Sequence, residues 1–419
     1  MKGLLQWFEE HFVPFAAKVG SQKHLVAIRD GFIAIMPLII AGSFAVLINV
    51  FPIEAWTKFL DTTVGGYIRS TNGNIWTGSF MIMSYLVAFT IPYAFAKNKG
   101  SNELATGLLG LATFIILMPG MGPDGGWGLP NAWAGTSSLF VAIFNGLFVA
   151  ELFTRLFGND KLVIKLPEGV PPAVARSFAA LLPSLITIVA VSVIKVIWVE
   201  AFDVQNIMEL VMNTVQKPLM GLANTLPGAL TVAFFNHFLW FFGLHGSNIL
   251  EPLMQSLYLP ALVENAAGTG SFIVTKPFFD AFVYMGGSGT TIALLAAIFF
   301  ASKRRKDLRD IAKLGLAPGL FNINEPVIFG MPIVLSPVFF IPFIITPVIL
   351  TIVAYVATAT GIVPLTTVMV PWTTPPVLGG YLATGGSFAG GFLAVVNLAI
   401  AFVIYLPFVI IAEKLEGAE

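Results

Sequence analysis

The sequence predicts an all-helical protein that crosses a lipid bilayer many times, and three observations support this fold class. Of its 419 residues, 57% are hydrophobic and only 11% are charged, against roughly 25% charged residues in a soluble globular chain. Its mean hydropathy is +0.86. Several uncharged apolar stretches approach or exceed the about 20 residues that a membrane-spanning helix needs. Lipid is therefore expected to be the main solvent of this chain.

Five uncharged stretches in the first half predict five spanning helices. They cover residues 31–53, 70–96, 104–123, 125–150 and 177–194. Lys97 and Lys99 follow the second stretch, and four basic residues lie between the fourth and the fifth. Because Lys and Arg accumulate in cytoplasmic loops, we expect the N-terminus on the cytoplasmic side.

Residues 203–217 predict an amphipathic helix that joins two halves of the chain. Val, Ile and Met recur there at helical spacing, with Asp203, Asn206 and Glu209 between them. The stretch is too short and too polar to span a bilayer, so we predict an interfacial helix, with an ordinary surface helix as the alternative. We therefore predict one domain over residues 1–202 and a second over residues 218–419.

The second half combines apolar blocks with stretches that are apolar but interrupted by Gly, Pro, Asn and Thr. The blocks lie near 226–242, 281–301, 331–360 and 388–412, and the interrupted stretches cover 243–276, 311–330 and 361–387. Non-helical backbone at membrane depth is tolerated only where protein or a water-filled cavity satisfies its polar groups. Transporters place their substrates at such broken helices. Nine and ten spans are both compatible with this pattern.

Glu325, in FNINEPVIFGMP (321–332), is the one Asp, Glu, Lys, Arg or His between Leu314 and Ala412. An isolated ionisable group at membrane depth is a functional candidate. Pro326 disfavours helix at the residue before it and suits the first turn of a helix. We therefore predict a break at Asn324 to Pro326 that presents the acid at the start of a new helix. The alternative is a carboxylate that only caps this helix.

Other apolar stretches add a histidine and a tryptophan to the candidates. In FFGLHGSNI, Gly243 and Gly246 flank His245, which predicts that a helix ends there. This side chain could bind a ligand hydroxyl or be satisfied by backbone, whereas His237 is expected to pack within its helix. Trp372, in VPWTTPPVLGG, is either an interface anchor or a stacking surface for a sugar ring. The glycines of GTGSFIVTKPF and YMGGSGTT lack the ending of a phosphate loop and predict close helix contacts.

Composition excludes several classes of site. The absence of cysteine rules out disulfides, thiolate metal sites and a cysteine nucleophile, and the four histidines are scattered, so we predict no metal and no cofactor. A net charge of zero gives no indication of a nucleic-acid partner. Tryptophan, histidine, one carboxylate and neutral hydrogen-bonding groups suit a neutral polyol ligand. The sequence shows neither paired carboxylates nor a nucleophile triad, so it gives no indication of an enzyme acting alone.

Three motifs resemble a known family. FFGLHGSNI (241–249), the Asn-Glu-Pro of FNINEPVIFG (321–330) and VPWTTPP (370–376) are similar to enzyme IIC, the membrane component of the bacterial sugar phosphotransferase system, in its lactose/cellobiose/chitobiose class. The resemblance covers essentially the whole chain. It implies a homodimer in the bacterial plasma membrane, with about ten transmembrane helices and re-entrant hairpins per chain. The first domain would be the dimerisation scaffold, and the second would carry a β-linked disaccharide by an elevator-like movement.

The resemblance also implies roles for individual residues. His245 and Glu325 would hydrogen-bond the sugar, with Glu325 near the 6-hydroxyl that is phosphorylated and therefore a candidate general base. In the family the pocket is completed by four further positions, which match Trp240, Thr275, Trp372 and Asn131 in this sequence.

The family's phosphate donor is a phosphocysteine on a IIB protein. Since this chain has no cysteine, the donor would be a separate soluble partner and the chain would hold no independent catalytic centre. KRRKDLRD (303–310) is a candidate contact for that partner, with a simple positive-inside anchor as the alternative. A proton-coupled sugar symporter with Glu325 as the proton carrier is the competing function, since intramembrane acids also relay protons.

Overall fold

The structure, a computed structural model, describes residues 8–51, 53–119, 129–162, 164, 169–331, 333–334, 336 and 338–415. Within these ranges the regular elements are helices and no β-strand occurs, which confirms the all-helical prediction. The first half contains α1 (Val13–Gly20), α2 (Lys23–Val50), α3 (Glu54–Leu60), α4 (Thr63–Thr77), α5 (Met83–Asn98), α6 (Glu103–Leu117), α7 (Leu139–Phe157), α8 (Pro172–Ala179) and α9 (Leu181–Phe202).

The second half contains shorter helices among long ones. They are α10 (Ile207–Val211), α11 (Lys217–Ala223), α12 (Leu226–Phe241), α13 (Gly246–Ala266), α14 (Lys276–Phe282), α15 (Thr291–Ala301), α16 (Lys306–Leu320), α17 (Glu325–Gly330), α18 (Phe340–Ala359), α19 (Pro376–Ala383) and α20 (Phe388–Leu415). Short helices that begin and end at polar or glycine-rich segments are the feature that positions the candidate site.

Six helical segments in the described part of the chain are long and apolar enough to cross a membrane. They are Lys23–Val50, Thr63–Asn98, Thr136–Phe157, Val174–Phe202, Phe340–Ala359 and Phe388–Lys414. A seventh span results if Ile207–Ala223 and Leu226–Phe241, bent by 75°, form one broken crossing. The multi-pass prediction is confirmed, whereas the count of about ten stays a prediction.

The structure differs from the predicted span boundaries in two places. The fourth predicted span began at residue 125, but α7 begins at Leu139 after two tight 3-10 turns, and residues 120–128 lie outside the described ranges. The stretch 243–276 was predicted to be interrupted, yet it contains the 21-residue helix α13, which includes Pro252 and Pro260. Residues 257–263 of this helix are all buried, so tertiary packing outweighs the cost of the prolines.

The predicted linker is helical from Ile207 onward. The Asn206 side chain caps it by accepting hydrogen bonds from the backbone N–H groups of Met208 and Glu209, at 3.1 and 3.3 Å. A π-helical turn, Met212–Gln216, continues the helix into α11. Its placement at a membrane interface stays a prediction.

The chain divides into two compact units. One contains the described residues of Ser21–Gly42 and Asn74–Leu219, and its helices α5, α6 and α7 pack on one another. Gly110 permits this packing, because a Cβ there would lie 2.4 Å from the carbonyl oxygen of Ala88. The Asn145 side chain donates to the Gly110 carbonyl at 2.9 Å.

The larger unit contains the described residues of Met1–Gly20, Ser43–Gly73 and Met220–Glu419. Its helices α15 and α18 each pack against α20, and the unit contains fully buried aromatic side chains, among them Phe282, Phe343 and Tyr405. The Tyr405 hydroxyl donates to the Gly289 carbonyl at 2.5 Å. The division into a scaffold, a linker and a transport domain at residues 1–202, 203–217 and 218–419 is functional, and it stays a prediction.

Candidate functional site

The glycine-rich segment between α14 and α15 is a loop rather than part of a spanning helix. Gly286, Gly287 and Gly289 have φ angles of +74°, +92° and +85°, which glycine adopts at little steric cost. Thr291 secures the turn by donating from its hydroxyl to the Gly286 carbonyl at 2.6 Å. The predicted span over 281–301 is therefore reduced to the helix Thr291–Ala301.

The chain breaks at Glu325 in the predicted manner. Helix α17 begins at Glu325 with Pro326 in its first turn, and Asn324 occupies the N-cap position. The backbone N–H groups of Val327 and Ile328 both donate to the Asn324 carbonyl at 2.9 Å. The Glu325 side chain is 46% exposed.

His245 starts the neighbouring helix α13 and points its second nitrogen towards this acid. Its Nδ1 accepts a hydrogen bond from the backbone N–H of Asn248 at 3.2 Å, so the neutral ring carries its proton on Nε2. Nε2 lies 3.9 Å from Oε1 of Glu325, which is longer than a hydrogen bond of about 2.7–3.2 Å. A ligand hydroxyl could bridge the two groups, accepting from Nε2–H and donating to the carboxylate.

Trp240, at the end of α12, supports the histidine. The two ring centroids are 4.3 Å apart at an interplanar angle of 45°, and Trp240 is only 3% exposed. Its Nε1 has no hydrogen-bond partner among the described residues. Packing rather than hydrogen bonding therefore fixes the indole beneath His245. His237, one turn earlier, is fully buried and bonds the Ala233 carbonyl through Nδ1 at 2.6 Å, as predicted for a packed histidine.

The remaining predicted site residues lie in different settings. Trp372 is 53% exposed in the turn before α19. Thr275 is fully buried as the N-cap of α14, and its Oγ1 lies 2.6 Å from Oγ1 of Thr366. Asn131 is exposed in the 3-10 turn Asn131–Trp133, and it belongs to the smaller unit. The structure thus brings His245, Glu325 and Trp240 together, while contacts of all six residues with a sugar stay predictions.

Two asparagines beside Glu325 were not among the predicted site residues. Asn322 and Asn324 are 7% and 3% exposed, and their amides connect the loops of this region. The only sequence signal was their position in FNINEP within a tract that lacks other charges. Buried amides need hydrogen-bond partners, but sequence alone does not say which partners they find.

Charged groups of the larger unit form two further arrangements. Lys276 and Asp280 make a 2.8 Å ion pair with side chains 10% and 11% exposed. At the start of the basic segment 303–310, the Glu413 carboxylate accepts from the Ser302 hydroxyl at 2.8 Å and from the backbone N–H of Lys303 at 3.0 Å. Contact of this segment with a partner protein stays a prediction.

Within the basic segment, Arg305 holds Asp307 through two hydrogen bonds of 2.9 and 2.5 Å. This pairing holds the pKa of the Asp307 carboxyl below its ordinary value. Among the described residues, no group of three or more His, Cys, Asp or Glu side chains is arranged to bind a metal ion.

The fold and the site together define a class of protein. A multi-pass helical membrane protein whose broken helices gather a carboxylate, an imidazole and an indole has the architecture of a membrane transporter. The chain belongs to the EIIC family of the phosphotransferase system, because the profile described as "Phosphotransferase system, EIIC" matches residues 29–347. The resemblance stated from the three motifs is confirmed.

Curated relatives and one solved structure are similar along nearly the whole chain. The lichenan permease IIC component of Bacillus subtilis is 38% identical, over 97% of this chain and 93% of the relative. The cellobiose-specific EIIC component of Geobacillus stearothermophilus is 38% identical, over 100% of this chain and 96% of the relative. The crystal structure of ChbC, the IIC component from the N,N'-diacetylchitobiose-specific phosphotransferase system, matches with a TM-score of 0.92 and 38% identity, over 98% of each chain.

Proposed function

We propose that this protein is a sugar permease of the phosphotransferase system that binds a β-linked disaccharide of the cellobiose, diacetylchitobiose or lactose type. It translocates the sugar and presents the 6-hydroxyl for phosphorylation by a separate IIB protein. The names of its relatives support the sugar class, and the site geometry supports recognition of a hydroxyl. The setting would be the bacterial plasma membrane, with a homodimer as the working unit.

The observation that carries this proposal is the 3.9 Å separation between Nε2 of His245 and Oε1 of Glu325. One donor and one acceptor, both close to half exposed, face each other without a direct hydrogen bond. A sugar hydroxyl has one proton to donate and two lone pairs, so it can accept from Nε2–H of His245 and donate to the Glu325 carboxylate at the same time. Aromatic faces suit the apolar face of a sugar ring, and Trp372, Thr275 and Asn131 remain proposed as further contacts.

Phosphorylation would use the same carboxylate. The 6-hydroxyl oxygen would attack the phosphorus of a phosphocysteine on the IIB protein, forming the O–P bond as the S–P bond breaks. Glu325 would hold the hydroxyl and accept its proton as general base, and the cysteine would leave as a thiolate. Segment 303–310, five of whose side chains are exposed Lys, Arg or Asp, is proposed as part of the partner's docking surface.

An elevator-like movement of the substrate domain would carry the sugar. His245, Glu325, Trp240 and Trp372 all belong to one compact unit, so movement of that unit as a body would preserve their mutual geometry. This membership supports the proposal that residues 218–419, which contain all four side chains, form the transport domain.

The second candidate function is a proton-coupled sugar symporter. It is favoured by the pairing of a carboxylate with an imidazole, since acids and histidines at membrane depth also serve as proton relays. This function predicts accumulation of unmodified sugar in vesicles that lack all phosphotransferase proteins, and its abolition by an uncoupler. The permease proposal predicts sugar phosphate as the product, formed only when a phosphorylated IIB protein is supplied.

The direct test is binding of labelled cellobiose, diacetylchitobiose and lactose to the purified protein and to Glu325→Gln. A lost hydrogen bond to a charged group is worth about 1.5–3 kcal/mol, so we expect about 10- to 150-fold weaker binding. Glu103→Gln is the matched control, because Glu103 also lies in the first turn of a helix, that of α6. Unchanged binding and phosphorylation in Glu325→Gln would remove Glu325 from the site.

A further inference from the structure

The Asn322 amide joins three segments of the chain. Its Oδ1 accepts a hydrogen bond from the backbone N–H of Gly286 at 2.7 Å. Its Nδ2 donates to the carbonyl oxygens of Trp372 and Thr374, at 2.6 and 2.8 Å. One buried side chain therefore connects the glycine loop, the segment before Glu325 and the turn that carries Trp372.

The backbone at Asn322 explains why an asparagine occupies this position. Its φ angle is +61°, in the left-handed region that Asn tolerates better than most other residues. It follows the last turn of α16, and its N–H donates to the Gly319 carbonyl at 3.0 Å. Asparagine thus ends the helix and offers a donor and an acceptor in the same side chain.

Asn324 adds a second connection to the glycine loop. Its Nδ2 donates to the Ser288 carbonyl at 2.6 Å and to Oγ1 of Thr291 at 3.0 Å. Its amide lies against Gly287, where a Cβ would be only 2.3 Å from Cγ of Asn324. Asn324, directly before Glu325, is therefore held both by the backbone of the glycine loop and by the side chain of Thr291.

We propose that Asn322 and Asn324 are positioning residues: their amides hold Glu325 and Trp372 in the arrangement that recognises the sugar. The inference rests on the proposed function. Asn322 fixes the backbone of Trp372 relative to the segment that ends in Glu325, and Asn324 fixes the start of the helix that presents the acid. Loss of either amide misplaces a binding group without removing it.

Asn322→Asp is the sharpest test. Aspartate also tolerates a positive φ and keeps an acceptor for Gly286, but it replaces the donor to Trp372 and Thr374 by an oxygen. We expect disaccharide binding to weaken about 10- to 100-fold, because two buried carbonyl groups lose their donor. The matched control is Asn397→Asp, since the buried Asn397 amide donates to the carbonyls of Phe282 and Leu350, outside the three segments.

A spectroscopic readout separates positioning from sugar chemistry. The full chain is labelled with 5-fluorotryptophan, and the ¹⁹F resonance of Trp372 is assigned by its loss in Trp372→Phe. In the absence of sugar, the Trp372 resonance should shift or broaden in Asn322→Asp, whereas the Trp198 resonance should not change. Neither resonance should change in the control variant Asn397→Asp. An unshifted resonance together with unchanged affinity in folded Asn322→Asp would overturn the proposal.

The design distinguishes failure of this inference from failure of the proposed function. If the parent protein binds none of the disaccharides, the proposed function fails, while the sugar-free ¹⁹F spectrum still tests the positioning of Trp372. If Asn322→Asp does not fold, Asn322→Gly keeps the backbone conformation and should show the same displaced resonance. Failure of both variants to fold beside a folded Asn397→Asp would assign Asn322 to stability instead and contradict the proposal.

Discussion

Replacement of Gly287 by alanine should disturb the site through Asn324. An added Cβ would lie 2.3 Å from Cγ, 2.5 Å from Oδ1 and 2.7 Å from Nδ2 of Asn324. These separations are well below van der Waals contact, so the amide must move. Its movement breaks the hydrogen bonds to the Ser288 carbonyl and to the Thr291 hydroxyl.

Two terms give the expected loss of stability. Alanine at a φ of +92° costs about 1–2 kcal/mol of backbone strain. The two hydrogen bonds contribute about 0.5–1.5 kcal/mol each. We therefore expect the free energy of unfolding to fall by about 2–5 kcal/mol in Gly287→Ala. Since Asn324 precedes Glu325, disaccharide affinity should fall as well.

Gly361→Ala is the control that separates the backbone strain of alanine at a positive φ from the collision of the added Cβ with Asn324. Gly361 has a φ of +74°, and nothing lies within 4 Å of its hypothetical Cβ, so only the strain of about 1–2 kcal/mol applies. The assay is chemical unfolding of both variants in detergent micelles, with disaccharide binding measured in parallel. Equal stability of the two variants, with normal sugar affinity in Gly287→Ala, would refute the role of Asn324.

Further substitutions test other parts of the larger unit. Lys276→Met should lower the free energy of unfolding by about 3–5 kcal/mol, since it leaves a buried carboxylate unpaired. The double variant Lys276→Met/Asp280→Leu, measured in the same unfolding assay, should lose much less stability. Glu413→Gln should speed proteolysis of the 303–310 segment, because the backbone N–H groups there lose a charged acceptor; an unchanged cleavage rate would contradict this. Trp240→Phe should weaken sugar binding through displacement of His245, and its cost to the free energy of unfolding should come from the cavity beside the smaller ring, since no indole hydrogen bond is lost; unchanged binding in the folded variant would contradict this.

Local chemistry made the break at Glu325 predictable from sequence. A proline disfavours helix at the residue before it and suits the first turn of a helix, and both effects act within three residues. The same holds for His245, where flanking glycines indicated a helix end. The isolation of Glu325 from other charged residues was equally visible in the sequence, because the tract from Leu314 to Ala412 contains one acid and no base.

Long-range partners were not predictable in the same way. The interrupted stretch 243–276 contains a buried helix because packing overrides local propensity. The family resemblance named Thr275 as a pocket position, and nothing in the sequence indicated that its hydroxyl lies 2.6 Å from that of Thr366, 91 residues later. Asn322 likewise finds its acceptors 50 and 52 residues away. Sequence spacing carries no information about such pairs.

Two of the proposed sugar contacts, His245 and Glu325, lie at the starts of helices. Each helix leaves its first N–H groups without intrahelical partners, and here His245 satisfies one of them with Nδ1. That bond fixes the neutral tautomer and directs the remaining N–H at Glu325, which itself lies in the first turn of α17. Capping thus converts a flexible histidine into a donor of defined direction, opposite an acceptor that the asparagines hold in place.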